Sequence, residues 1–212
     1  MAVLHVLLAL IVNAIPAWGV FTQGWSVGTL LILFWWENLA GVLLMGLHLH
    51  LHQRRSGDPA YDDPKQMPEM TVNGKPVRFE RYASGYLSLA LPFALVHGVF
   101  AFMLPFAFGQ QADQAALWRP TWDALRMGGA LVLLTLLLDL ALDLPGLARR
   151  SFAAIKRRAD SRFARVLVLH VVLIFGAMAA AKFDSPYGML GVMIGLKTLV
   201  DVSMAWSATR TP

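Results

Sequence analysis

The chain has 212 residues, of which 57% are hydrophobic and only 15% charged, with a net charge of +5 and no cysteine. The charges gather in blocks between long apolar runs, as in a protein that crosses a bilayer several times, and such runs exclude the short alternating segments of a membrane barrel. The lack of cysteine excludes disulfides, thiolate metal sites and cysteine nucleophiles.

In chain order the apolar runs predict an all-α bundle of about six transmembrane helices, at about 1.5 Å per residue across a roughly 30 Å hydrocarbon core. They run from about Val3 to Phe21, Ser26 to Leu51, Ser84 to Phe108, Ala124 to Leu144, Ala164 to Lys182 and Pro186 to Trp206. The first lacks the basic start of a signal peptide and carries Asn13 and Pro16, so it reads as a retained helix. Residues 1–212 form one membrane domain on this reading, with two basic connections. The 52–83 loop contains Arg54, Arg55, Lys65, Lys75, Arg78 and Arg81, and the stretch after Leu144 contains Arg149, Arg150, Lys156, Arg157, Arg158 and Arg162. The positive-inside rule puts both connections, and hence both termini, in the cytoplasm.

Two local features accompany these connections. In the first, Asn73-Gly74 between Thr71-Val72 and Pro76-Val77 is the signal of a tight hairpin. In the second, residues 146–163 mix Phe152, Ile155 and Phe163 with clustered arginines and lysines, which predicts a basic amphipathic helix on the inner surface between helices 4 and 5. Trp118 and Trp122 lie next to the fourth helix as interface anchors. The positive charge is therefore a matter of topology and of anionic lipid headgroups, and no aromatic-basic motif points to nucleic acid. The partner implied is the lipid bilayer, with a homo-oligomer open for so small a bundle.

Polar residues inside the apolar runs are the candidate site, because each is costly against acyl chains and must find a partner. Glu37 and Asn38 follow Trp35 and Trp36 in the second helix, His97 is central in the third, and Lys197 is central in the sixth. Counting along the helices places Glu37, His97, Lys197 and Asn13 roughly 16 to 20 Å from the cytoplasmic side, and Asp139, His170 and Asp201 at about 10 Å. The expected upper layer is a Glu37/Lys197 ion pair surrounded by Asn13, Asn38 and His97. The expected lower layer is an Asp139/Asp201 carboxylate pair near His170. Glu37, Gly41, His48 and His52 share one face of their helix within about 60°, a stripe that gives cytoplasmic access to Glu37. Lys197 and Asp201, spaced i, i+4, share a face of the sixth helix. Gly191 and Gly195 form a GxxxG packing element in that helix.

The Trp35-Trp36-Glu37-Asn38 run, the His97-Gly98 pair followed by Phe100, the Arg165 to His170 segment and the Lys197-xxx-Asp201 spacing resemble a prokaryotic family of multi-pass membrane proteins described as a domain of unknown function. That resemblance spans nearly the whole chain. It implies the membrane fold, the choice of site residues and a place in a prokaryotic plasma (inner) membrane, and it carries no reaction.

Three function classes remain open. A route for protons, ions or a small polar solute would use Glu37 as the group that changes charge, held by Lys197. An enzyme would use Glu37, His97 and His170 to hold a divalent metal, or Glu37 to activate water. The Phe93-xxx-His97 spacing is similar to the glutamate-dependent intramembrane proteases, but Glu-Glu-xxx-Arg is missing and no Asn or Asp stands four residues after His170. No GxSG, phosphate loop or dinucleotide fingerprint is present. In the third class the polar core is architecture in a structural or partner-binding membrane protein.

Overall fold

Helix length and helix capping set the architecture of the chain. A computed structural model of the protein describes residues 2–63, 65–110, 115–164, 166–167, 191–192, 194–200 and 202–203. These form an all-α bundle with one small hairpin. The elements are α1 (Ala2–Gln23), α2 (Val27–Ser56), the strands β1 (Glu69–Val72) and β2 (Lys75–Arg78), α3 (Tyr82–Phe108), a single turn α4 (Ala115–Trp118) and α5 (Trp122–Asp143). After α5 a 3-10 stretch, Leu144–Arg149, leads into a further helix, α6, over 152–164. Residues 194–200 are again helical. The predicted fifth span lies almost wholly outside the described residues, as do the ends of the sixth.

Among the described residues three helical stretches are long and apolar enough to cross a membrane: Val27–Ser56, Tyr82–Ala107 and Ala115–Arg149. Leu10–Gln23 is a shorter apolar helix. α2 is the central helix, since 67% of its most apolar window is buried against 28% for each of the other two. It packs on both α3 and α5, and α1 packs on α5. The other stretches leave rows of large apolar side chains outward, among them Val96, Phe100 and Met103 of α3, and Leu134 and Leu138 of α5. An exposed apolar face of that extent suits acyl chains better than water.

α2 starts where Ser26 accepts a hydrogen bond from the Thr29 amide at 3.1 Å, satisfying one of the free N–H groups of the first turn. It runs five residues beyond the expected end at Leu51. Arg54 and Arg55 in its last turn complement the helix dipole, and Gly57 ends it in the left-handed conformation with φ 60°. Apolarity marks only the part of a helix that needs lipid, and a capped polar turn continues it past that boundary.

The hairpin forms as expected. Val72 pairs with Lys75 and Glu69 with Arg78, and both turn residues have positive φ, Asn73 at 50° and Gly74 at 76°. That is the turn whose twist matches its strands.

Two apolar clusters fill the bundle. One holds Leu30, Leu33 and Phe34 of α2 with Ile15, Ala101, Trp118 and Val132. The other holds Val42, Met45 and Leu49 of α2 with Tyr82, Tyr86 and Ala90 of α3 and with Phe152, Ile155 and Ala159 of α6. The basic amphipathic helix is therefore present, but its apolar face packs on protein. Phe152 lies edge-on to Tyr61 and Tyr82 at 4.7 and 5.2 Å, so α6 caps one end of the bundle.

Candidate functional site

Four consecutive residues of α2 turn through about 100° each and so address four different surroundings. Trp35 Nε1 donates to the Ala94 carbonyl of α3 at 2.9 Å, and Trp36 Nε1 donates to the Gly129 carbonyl of α5 at 3.2 Å. Each indole thus satisfies its own N–H at depth while pinning α2 to a neighbour. Gly98 makes room for the first: a Cβ there would lie 2.7 Å from Trp35 Nε1.

Glu37 is turned inward between the two apolar clusters. Lys197 Nζ lies 3.1 Å from its Oε1 and 3.0 Å from its Oε2, and donates to Asn13 Oδ1 at 3.0 Å. The ammonium also stands 5.5 Å from the centre of the Phe34 ring. Side-chain exposure is 1% for Lys197 and 5% for Glu37, so this is a desolvated ion pair joining α1, α2 and the C-terminal helical segment. The upper layer expected from helical depth is therefore assembled for Glu37, Lys197 and Asn13. Asn38 and His97 are buried as well. The His97 ring packs against Phe93 with centroids 5.5 Å apart.

Beside the pair lies a cavity of ≈ 10 Å³ lined by Glu37, Asn38, Gly41, Val42, Arg162 and Val166. That is about the space one water needs. In the sequence Arg162 belongs to the basic segment expected on the inner surface. α6 folds back over the bundle and brings it to the Glu37 layer.

Asp139 is held by guanidinium groups. Arg158 Nη2 reaches its Oδ2 at 2.8 Å and Arg162 Nη2 at 3.2 Å, while Arg150 Nη2 reaches Asp143 Oδ1 at 2.6 Å and Arg158 Nη1 also bonds Asp143 Oδ2. Asp139 and Asp143 thus belong to an Asp–Arg network between α5 and α6, because the arginines turn inward once α6 packs on protein. The other members of the expected lower layer, His170 and Asp201, lie outside the described residues.

The histidine stripe lies inside the protein. His48 and His52 are buried rather than open to solvent. His52 Nε2 donates to the Arg150 carbonyl at 3.0 Å, which fixes its tautomer, and its Nδ1 meets the Tyr61 hydroxyl at 2.7 Å. Burial pushes the Tyr61 phenol well above its ordinary range, so it stays a donor. The 3-10 stretch after α5 has closed over the stripe. His48 faces the charges of Arg158, Asp143 and Arg150, and its Nε2 has no hydrogen-bond partner among the described residues.

Among the described residues no three His, Asp or Glu side chains converge as metal ligands. Glu37 has both oxygens on Lys197, and of the other two members of the expected ligand set His97 is buried against Phe93 and His170 lies outside the described residues.

A model of a family of unknown function (DUF6498) matches residues 2–212, which bears out the resemblance seen in the motifs over nearly the whole chain. No curated protein and no solved structure matches the chain.

Proposed function

The chain belongs to the family of unknown function DUF6498, and from that premise and its buried site we propose that it is an integral membrane protein that conducts protons through Glu37. The observation that carries this reading is the cavity of ≈ 10 Å³ between Glu37 and Arg162. A space of that size holds one water, and a single water can carry a proton to the carboxylate. Glu37 is the group that takes and gives the proton, and Lys197, also bonded to Asn13, holds the carboxylate in place. The Asp139–Arg158–Asp143–Arg150 network continues the polar path toward the basic face of the protein.

The basic connections face the cytoplasm in this reading, both termini lie inside, and the membrane is a prokaryotic plasma membrane. Lipid is the partner throughout, and a homo-oligomer is compatible with the outward faces of α3 and α5. The test is proton flux into liposomes carrying the purified protein under an imposed pH gradient. Flux above empty liposomes is expected, and Glu37→Gln should abolish it while the variant keeps its helical content. Equal flux in the wild type and Glu37→Gln would rule the reading out.

A further inference from the structure

We propose that Arg162 is a positioning residue that gates proton exchange at Glu37, with its guanidinium seated on Gly41 at the mouth of the one-water cavity. The proposal rests on Glu37 being the proton site and names what regulates it.

Gly41 lies one helical turn beyond Glu37. A Cβ there would stand 2.9 Å from Arg162 Nη1, so the guanidinium tip lies against the bare backbone of Gly41. Glu37, Asn38 and Arg162 line the same cavity, which puts a positive charge beside the one-water space at Glu37. A guanidinium at a constriction repels hydronium, as in pores that pass water and stop protons. Among the described residues the charges near it include Asp139, with Arg158 and Asp143 behind it, and the Glu37–Lys197 pair, and Tyr86 of α3 feels both Arg162 and Asp160.

The gate requires Arg162 to be the member that moves. Its contact with Asp139, at 3.2 Å, is longer than that of Arg158, at 2.8 Å, and Asp139 keeps Arg158 when Arg162 leaves. When the guanidinium swings away, a proton arriving on the cavity water passes to the Glu37 carboxylate. This gives a neutral carboxyl and a neutral water, and Lys197 remains an ammonium on Asn13. Return of the guanidinium closes the exchange.

Liposome flux is compared for the wild type, Arg162→Gln, Arg162→Lys and Gly41→Ala, each with and without Glu37→Gln. Arg162→Gln is expected to raise Glu37-dependent flux roughly tenfold as the barrier is lost, and Gly41→Ala to raise it by less as the guanidinium tip is displaced, with Arg162→Lys close to the wild type. If Arg162→Gln does not fold, Gly41→Ala, which adds one methyl group, carries the comparison. Flux unchanged in both variants but abolished by Glu37→Gln would overturn the gate and leave the Glu37 reading standing. If no protein shows Glu37-dependent flux, the Glu37 conduction reading fails and infrared difference spectra decide the gate. The carboxyl band assigned by Glu37→Gln is then followed against pH: a response in Arg162→Gln displaced by about one pH unit or more supports the gate. Identical responses, or no response in either protein, overturn it.

Discussion

Glu37 and Lys197 illustrate how a membrane interior forces polar side chains into pairs. Each alone would leave a charge in a medium where removing one partner of a buried pair costs about 3–5 kcal/mol. Lys197→Met is therefore expected to lower stability by about that amount. The Glu37→Gln/Lys197→Met double variant should lose much less than the sum of the singles, as a double-mutant cycle of unfolding in detergent would read. Glycine 98 works by steric allowance. Gly98→Ala should push Trp35 off the Ala94 carbonyl and cost about 1–3 kcal/mol by overpacking, whereas Gly129→Ala meets Trp36 only at 3.6 Å and should cost far less. In the sequence the His97-Gly98 and Trp35-Trp36 pairs stand as separate motifs. That one residue of each pair serves the other, Gly98 making room for Trp35, depends on the register of α3 against α2, which no single helix specifies.

The element that reorganises the site is α6. Its first amide, that of Phe152, donates to Asp58 Oδ2 at 2.9 Å, and Asp58 Oδ1 accepts from Ala60 at 3.0 Å. Those two backbone hydrogen bonds, the one from Ala60 first, hold the Asp58 carboxyl below its ordinary value. A group depressed in the folded state stabilises above its unfolded pKa, and that contribution fades as pH falls through the folded one. Chemical denaturation is thus expected to show α6 docking weaken at acidic pH, with Asp58→Asn removing part of the pH dependence and leaving the neutral-pH fold intact. An identical acid profile in Asp58→Asn would refute this role. The sequence made the helix visible through its alternation of apolar and basic residues. Its resting place was not legible, because an amphipathic face fits a bilayer surface and a protein surface equally well, and only the aromatic pocket of Tyr61 and Tyr82 decides between them.

At the scale of the whole molecule, the absence of cysteine makes topology directly testable. Single cysteines at Asn73, in the hairpin turn, and at Gln110, beyond α3, should be labelled by an impermeant thiol reagent from opposite sides, with Asn73→Cys labelled from the cytoplasm. Labelling of both from one side would contradict the orientation drawn from the basic loops.

Sequence alone determined the helical bundle, three of its apolar spans, the Asn73-Gly74 turn and the Glu37–Lys197–Asn13 layer. All of these follow from local rules: helical rise converts residue number to depth, positive φ demands particular turn residues, and a polar group at a given depth pairs with another at that depth. Tertiary structure alone decided that Arg158 and Arg162 turn inward to Asp139, that His48 and His52 are covered, and that Arg162 rests on Gly41 beside Glu37. Those contacts depend on where α6 docks, and docking is set by shape complementarity between distant segments, which leaves no periodic trace in the chain.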